Sequence, residues 1–207
     1  MAVAKAKIRG LYVIVDPQQT RGRDPVVVAR LALAGGARII QWRDKTRDKG
    51  EQVPPARAIR DLCREHHALF FVNDHVDLAL TLSADGAHLG QKDLPPSLVR
   101  LWLPPGFLLG VSTNTVDEAR RAERDGADYV GVGAIFPTAS KGVTRPASPE
   151  RLREVRAAVR VPVVAIGGIN EENVDQVTGA DAVAVISAVC LADDVEAAAR
   201  RLASRFG

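Results

Sequence analysis

The sequence predicts an α/β fold in which eight parallel strands alternate with helices, a single-domain (β/α)8 TIM barrel over residues 1–207. Three observations support this prediction: eight short apolar runs, helical spacing between them, and a recurring Gly-Ala-polar triplet. Of the 207 residues, 46% are hydrophobic, so the chain can bury one sizeable core but is short for two domains.

The eight apolar runs are rich in β-branched residues and are spread along the whole chain. They are LYVIVD at 11, RIIQW at 38, LFFVN at 69, AHLG at 87, LLGVS at 108, YVGVGAIF at 129, VPVVAIGG at 161 and AVAVIS at 182. Most are continuously apolar, which is typical of parallel strands buried on both faces. The segments between them, such as VDEARRAERDG and SPERLREVRAAV, show helical spacing.

The Gly-Ala-polar triplet begins at Gly36, Gly86, Gly126 and Gly179, immediately before runs two, four, six and eight. Glycine commonly ends a helix in the left-handed conformation, so we expect each triplet to mark the end of a helix before a strand. Its recurrence indicates four βαβα pairs. An open doubly wound sheet is the alternative, but it would be expected to carry a glycine-rich fingerprint after the first strand, where IVDPQQTRGRD stands instead.

Composition narrows the classes of partner. The formal net charge is only +3 and the basic residues are scattered, so we expect no nucleic-acid partner; a small anionic ligand accounts for local cations equally well. No stretch approaches the roughly 18 to 20 apolar residues of a membrane helix, and MAVAKAKIRG lacks the apolar core of a signal peptide. We therefore expect no membrane partner and a cytoplasmic location, with Cys63 and Cys190 as reduced core thiols.

Polar residues follow almost every apolar run, at the strand ends where a parallel barrel carries its active site. In chain order they are Gln41, Arg43 and Lys45 at the end of run two and just after it, Asn73 and Asp74 at the end of three, Asp93 beyond four, Ser112 and Thr113 at the end of five, Thr138, Ser140 and Lys141 after six, Gly167 and Gly168 at the end of seven, and Ile186 and Ser187 at the end of eight. We expect these residues to converge on one rim.

The charges in this set indicate a diphosphate. Arg43, Lys45 and Lys141 can face an anion, whereas Asp74 and Asp93 would cancel that field unless a cation lay between them. A Mg²⁺ ion resolves the conflict, since it binds through one or two carboxylates and leaves its other positions to water and phosphate oxygens.

The last two strands predict a second anion site. The glycines of AIGGIN and the helix start within VISAV offer backbone amides at the place where barrels of this class often bind phosphate. Two anionic groups at one rim suit a reaction with two substrates.

Each signal also has a purely structural interpretation. Arg43 and Lys45 could form surface pairs with Asp44 or Asp48, and Asp93 could serve only in a turn. Asn73, Asp74, Ser112, Thr113 and Ser187 could be helix caps. His88 is predicted to be a hydrogen-bonded core or rim imidazole, and the loop PTASKGVTRPAS from 137 to 148 is a candidate lid.

Taken together, these motifs resemble the thiamin phosphate synthase family, also called thiamin phosphate pyrophosphorylase. The resemblance covers about residues 10 to 200 and depends on QWRDK, VND, GAHLGQKDLP, GVSTN, GAIFPTASK, VPVVAIGGI and VISA. It implies a Mg²⁺-dependent condensation of a hydroxymethylpyrimidine diphosphate with a thiazole phosphate or its carboxylated form. The products would be thiamin phosphate and diphosphate, with carbon dioxide from the carboxylated substrate.

The resemblance also implies roles for individual residues. Gln41, Arg43, Lys45, Asn73, Ser112 and Lys141 would contact the pyrimidine diphosphate, with Arg43, Lys45, Ser112 and Lys141 as the catalytic group; Asp74 and Asp93 would hold Mg²⁺; Thr138, Ser140, Gly168, Ile186 and Ser187 would bind the thiazole phosphate.

Three other functions stay open at this point: a thiazole tautomerase-like relative, a sugar-phosphate isomerase or epimerase, and a non-catalytic thiamin-phosphate-binding protein. The sequence also leaves the oligomeric state open, with a homo-oligomer among the options.

Overall fold

A computed structural model describes residues 8–138 and 147–206 of the chain. Eight strands form a closed parallel barrel in the order of the chain, with β8 pairing back to β1. The strands are β1 Gly10–Val15, β2 Ile39–Trp42, β3 Leu69–Asn73, β4 Gly86–Leu89, β5 Leu108–Thr113, β6 Tyr129–Val132, β7 Val163–Ile166 and β8 Ala182–Val185. Each one matches a predicted apolar run to within one residue at its start or end or lies inside it, which confirms the predicted (β/α)8 barrel.

Helices alternate with the strands over the described ranges. They are α1 Pro25–Ala34, α2 Lys49–Glu65, α3 Val76–Thr81, α4 Pro96–Val99, α5 Val116–Arg124, α6 Pro149–Ala158, α7 Ser187–Cys190 and α8 Val195–Arg205, with short 3-10 helices at Pro17–Gln19, Arg100–Trp102 and Val174–Gln176. Within the part of the chain that the structure describes, none of these helices has the length and apolar character needed to cross a membrane.

Two apolar layers lie on opposite faces of the barrel wall. In β1, Leu11, Val13 and Val15 pack outward against the helices, whereas Tyr12 and Ile14 point into the barrel, as the two-residue period of a strand requires. The inner layer includes aromatic rings from three strands: Phe71 lies 5.5 Å from Tyr129 and 6.0 Å from Tyr12 between ring centroids. The interior is therefore filled below the rim. Cys63 and Cys190 are buried free thiols, as predicted.

The Gly-Ala-polar triplets end helical segments at three positions. Gly36, Gly126 and Gly179 have φ of 99°, 95° and 89°, in the left-handed region. The expectation for Gly86 was wrong: helix α3 ends earlier, Ser83 takes the positive φ of 50°, and Gly86 is already the first residue of β4. A Cβ at Gly86 would lie 2.4 Å from the ring of Phe71, so glycine is required there for close packing.

Gly110 provides a test of the packed interior. Replacing Gly110 with Ala would place a Cβ 2.1 Å from the Tyr129 ring, so we expect a loss of about 2 kcal/mol or more in the free energy of unfolding, measured by urea denaturation. Gly50 in α2 has nothing within 4 Å of its added Cβ, and Gly50→Ala should raise stability by roughly 0.5 kcal/mol. Equal stabilities for the two variants would show that the packing around Tyr129 can adjust to an added methyl group.

Candidate active site

The C-terminal ends of the strands surround a cavity of about 540 Å³. This volume is within the range typical of small-molecule sites, roughly 300 to 1,000 Å³. The predicted site residues that line it are Lys45, Asp74, Asp93, Ser112, Thr138, Gly168, Ile186 and Ser187. Contributions from β2 to β8 thus meet at one rim, as the sequence pattern indicates.

Gln41 lies deeper, inside the barrel, and is 2% exposed. Its amide nitrogen donates to the hydroxyl of Tyr12 at 2.6 Å. Among the described residues, its amide oxygen is buried without a hydrogen-bond partner. Gln41 also lines a small second cavity of about 20 Å³, shared with His88 and Ser112. A buried acceptor without a donor is costly, so this oxygen is suited to a donor group supplied by water or a ligand.

Arg43 comes directly after β2 and forms an ion pair with Asp16. Val15 of β1 pairs with Trp42 of β2, so the residues that follow these two are also neighbours. Only 15% of the Arg43 side chain and 4% of the Asp16 side chain are exposed, which holds the guanidinium in one place. Asp16 was not among the predicted residues, although its position as the polar last residue of the first run was a usable signal.

Lys45, Asp74 and Asp93 form a charged cluster on one side of the cavity. Lys45 Nζ lies 3.0 Å from an Asp74 carboxylate oxygen. Asp93 accepts a hydrogen bond from the Gly90 amide at 2.6 Å. The expected turn role of Asp93 is therefore present, together with a position on the cavity wall.

The two carboxyl groups interact closely enough to move each other's pKa. Burial raises the pKa of Asp74, but hydrogen bonds with Lys45 and Asp93 and the charge of Lys45 outweigh it, so the net shift is downward. Burial raises the pKa of Asp93, and although the Gly90 amide opposes this, the Asp74 charge adds to the increase. The charge of Asp74 therefore makes Asp93 harder to ionise than an isolated aspartate.

The donor set of this cluster fits Mg²⁺. Within residues 8–138 and 147–206, no group of three or more His, Cys, Asp or Glu side chains could enclose a metal. Two adjacent carboxylates are nevertheless sufficient for Mg²⁺, which usually keeps several waters and takes phosphate oxygens from a substrate. Asp74 and Asp93 are the residues that would hold it.

Ser112 is connected to the barrel interior through His88. The Ser112 hydroxyl lies 2.8 Å from His88 Nε2, and His88 Nδ1 lies 2.9 Å from the Tyr129 hydroxyl. The predicted hydrogen-bonded role of His88 is confirmed. Tyr12 and Tyr129 were not singled out from the sequence, because an aromatic residue inside an apolar run is typical of any core.

The opposite side of the cavity is formed by the ends of β7 and β8. Gly167 and Gly168 have φ of 99° and 66°, and a Cβ on Gly168 would lie 2.5 Å from the Pro137 carbonyl oxygen. Both positions therefore require glycine. Ile186 and Ser187 stand at the start of the four-residue helix α7. Main-chain groups are thus exposed to the cavity next to Thr138 and Ser187.

The first residues of helices α3 and α5 show whether the polar side chains before them act as helix caps. The N-cap position of α3 is His75, with no side-chain capping bond, and that of α5 is Thr115, whose hydroxyl accepts from the Glu118 amide. Asn73 instead ends β3, and Ser112 lies within β5. These side chains are therefore not required as caps of the two helices.

The far side of β2 is structural, as expected. Trp42 is buried and donates to Gln52 at 3.0 Å, and Asp44 pairs with Arg47. Ser140, Lys141 and most of the predicted 137–148 lid lie outside the described residues.

A closed eight-stranded barrel with a cavity at the C-terminal ends of its strands, lined by Lys45, Asp74, Asp93 and Ser112, is typical of TIM-barrel enzymes. The family model described as "Thiamine monophosphate synthase" matches residues 11–189. The chain belongs to this family, which the resemblance predicted.

Individual relatives agree with this assignment. The thiamine-phosphate synthase of Moorella thermoacetica is 53% identical over 195 residues, covering 93% of each chain. That of Methanospirillum hungatei is 49% identical over 197 residues, covering 94% of this chain and 96% of the relative. Among solved structures, a thiamine phosphate pyrophosphorylase from Pyrococcus furiosus has a TM-score of 0.87 and 42% identity, and the alignment covers 96% of this chain and 95% of that one.

More distant neighbours share only the barrel. An N-acetylmannosamine-6-phosphate 2-epimerase from Clostridium perfringens has a TM-score of 0.68 at 19% identity, with 89% of each chain covered. At this identity the likeness shows the fold and says nothing about the reaction.

The carboxylate pair leads to a prediction about the metal-free protein. Asp93→Asn keeps an acceptor for the Gly90 amide but removes the repulsion with Asp74, so at pH 7 in EDTA we expect the variant to be as stable as the parent or more stable, by up to about 1 kcal/mol. The raised pKa of Asp93 disfavours its charged form, so the parent loses stability relative to the variant as the pH rises through that pKa, and the difference should vanish at lower pH.

Thermal unfolding from pH 3 to pH 8 measures this difference, and calorimetric titration with Mg²⁺ should show weaker binding by the variant. Asp77→Asn, which removes an exposed pair with Lys49, is the control and should leave Mg²⁺ binding unchanged. If the stability of the parent and of Asp93→Asn changed with pH in the same way, the repulsion between Asp74 and Asp93 would be contradicted.

Proposed function

We propose that this protein is a thiamin phosphate synthase that acts in the cytoplasm and requires Mg²⁺. It joins 4-amino-2-methyl-5-(diphosphooxymethyl)pyrimidine to thiazole phosphate or carboxythiazole phosphate, giving thiamin phosphate, diphosphate and, from the carboxylated substrate, carbon dioxide. The observation that carries the proposal is the shared cavity: a cluster of Lys45, Asp74 and Asp93 faces it from one side and the glycine turn after β7 with the start of α7 from the other. One cavity thus offers sites for two anionic substrates.

In the proposed reaction, the bond between the pyrimidine methylene carbon and the diphosphate oxygen breaks, and the electron pair leaves with the diphosphate. The thiazole nitrogen then forms a bond to the same carbon. When bound, Mg²⁺ supplies positive charge to the leaving diphosphate. Lys45, Arg43 and Lys141 would contribute further positive charge, and preorganised charge of this kind is usually the largest contribution to catalysis.

The polar groups near the barrel interior suit the pyrimidine. Its exocyclic amino group can donate a hydrogen bond and can stabilise the methylene cation as the diphosphate departs. Gln41 offers the unpaired buried acceptor described above, and Ser112 and Asn73 stand near the ends of β5 and β3, on either side of β4. The proposed chemistry needs no protein nucleophile, because the thiazole nitrogen attacks directly.

The thiazole phosphate would bind at the ends of β7 and β8. There Gly168, Ile186 and Ser187 bring main-chain groups to the cavity, and Thr138 adds a hydroxyl. Ser140 is assigned to the same site by the family resemblance. Phosphate at this location is common in TIM barrels.

The alternative functions explain fewer of the residues that line the cavity. A thiazole tautomerase-like protein or a thiamin-phosphate-binding protein would use the phosphate side but would have no need for Asp74 and Asp93 together on the same wall. A sugar-phosphate isomerase or epimerase would need a positioned acid and base. The carboxylate pair favours the synthase.

A direct assay separates these functions. Incubation of the protein with the pyrimidine diphosphate, the thiazole phosphate and Mg²⁺ should yield thiamin phosphate and one equivalent of diphosphate, detected by chromatography. Replacing Mg²⁺ with EDTA should abolish the product, because the leaving diphosphate then lacks its counter-charge. Binding of thiamin phosphate without turnover would favour the non-catalytic alternative instead.

Lys45 and Lys49 form a matched pair of lysines. Both are half-exposed and both pair with an aspartate, but only Lys45 lines the cavity. Lys45→Ala should lower kcat/KM by roughly 10- to 100-fold, the usual effect of losing a charged hydrogen bond to a ligand. Lys49→Ala should leave kcat/KM within about twofold of the parent, because exposed ion pairs contribute little. Similar losses in both variants would remove Lys45 from the diphosphate site.

A further inference from the structure

A chain of hydrogen bonds crosses the inside of the barrel and joins Gln41 on β2 to Ser112 on β5. Its links are Gln41 Nε2 to the Tyr12 hydroxyl at 2.6 Å, Tyr12 to Tyr129 between hydroxyl oxygens at 3.0 Å, Tyr129 to His88 Nδ1 at 2.9 Å and His88 Nε2 to the Ser112 hydroxyl at 2.8 Å. We call these five residues the interior relay. Its two ends line the same small cavity beneath the rim.

The relay has a direction because each hydroxyl has one proton. The Gln41 amide nitrogen can only donate, so the Tyr12 hydroxyl accepts from it and directs its own proton to Tyr129. The Tyr129 hydroxyl then donates to His88 Nδ1. Neutral His88 must therefore carry its proton on Nε2 and donate it to Ser112 Oγ. The Ser112 proton remains to be donated elsewhere.

Both tyrosine hydroxyls keep the protons that this direction requires. Burial raises the pKa of Tyr12 well above its usual value, and it does the same for Tyr129. Neither side chain is more than 1% exposed. Bulk water therefore competes poorly for the Tyr12–Tyr129 and Tyr129–His88 hydrogen bonds.

We propose that Tyr12, Tyr129 and His88 are positioning residues that fix Ser112 as a hydrogen-bond donor and Gln41 Oε1 as an acceptor in the active site. The two ends are coupled: turning the Gln41 amide round would make its oxygen the acceptor for Tyr12 and would reverse every link. Ser112 would then donate to His88 and present only an acceptor to the cavity.

This inference rests on the proposed function for its chemical meaning. An amino group on the substrate needs the acceptor of Gln41, and an anionic oxygen or ring nitrogen needs the donor of Ser112. Recognition of the amino group therefore selects the relay direction that makes Ser112 a donor. A ligand with an acceptor in place of the amino group would meet the wrong polarity at both ends.

The tautomer of His88 tests the relay without any substrate. In ¹⁵N-labelled protein, two-bond nitrogen–proton correlations should show neutral His88 protonated at Nε2, with the resonance assigned by its loss in His88→Gln. Tyr12→Phe is the informative variant, because the links of Tyr12 in the relay are to Gln41 and Tyr129 and the change reaches His88 through Tyr129. Without the Tyr12 hydroxyl, the Tyr129 hydroxyl can either donate to His88 Nδ1 or accept from it, so we expect His88 to become a mixture of tautomers. Thr20→Val, which removes another buried hydroxyl in the loop after β1, is the control and should leave His88 unchanged.

Activity provides the second measurement. Tyr12→Phe should lower kcat/KM about tenfold, the effect of one misdirected hydrogen bond, whereas Thr20→Val should have the parent's kcat/KM. His88 protonated at Nδ1 in the parent, or a tautomer that Tyr12→Phe does not change, would overturn the relay. If the parent makes no thiamin phosphate but shows the Nε2 tautomer and its change in Tyr12→Phe, the proposed function fails while the relay stands.

Discussion

Closure of the sheet is the constraint on which the other features depend. Because β8 pairs with both β7 and β1, every strand has two neighbours and its register is set on both sides. Residues that follow the strands are thereby brought to adjacent places on one rim. The Asp16–Arg43 pair is a direct result, since these residues come immediately after the paired Val15 and Trp42. Main-chain pairing thus brings distant parts of the sequence to one rim.

Two of the predicted cations are paired before any substrate binds. Arg43 and Lys45 each form an ion pair with an aspartate, so the charge of each is partly neutralised within the protein. The Asp74–Asp93 pair has the opposite character, because its members disfavour full ionisation together. In the proposed function, a cation would bind between these carboxylates and an anion beside the basic groups, and one metal–diphosphate unit would supply both.

The barrel architecture and most of the predicted residues at the cavity follow from the sequence. The hydrogen bonds inside the barrel could not be predicted from it. Apolar runs locate strands because burial on both faces excludes polar residues, and polar residues at strand ends therefore stand out. Gly86 was misassigned because glycine serves helix ends and close packing alike, and only the position of Phe71 distinguishes the two. Tyr12, Tyr129 and His88 could not be connected from spacing, because the hydrogen bonds that join them lie between strands and depend on which way each side chain points.

The aromatic content of the barrel interior has a consequence for spectroscopy. The chain contains only two tyrosines, and both belong to the interior relay. Any ultraviolet difference signal or hydroxyl resonance assigned to tyrosine therefore originates beneath the active site and nowhere else in the molecule. The protein has in effect an intrinsic optical label at its reactive centre, which could follow ligand arrival in real time without chemical modification.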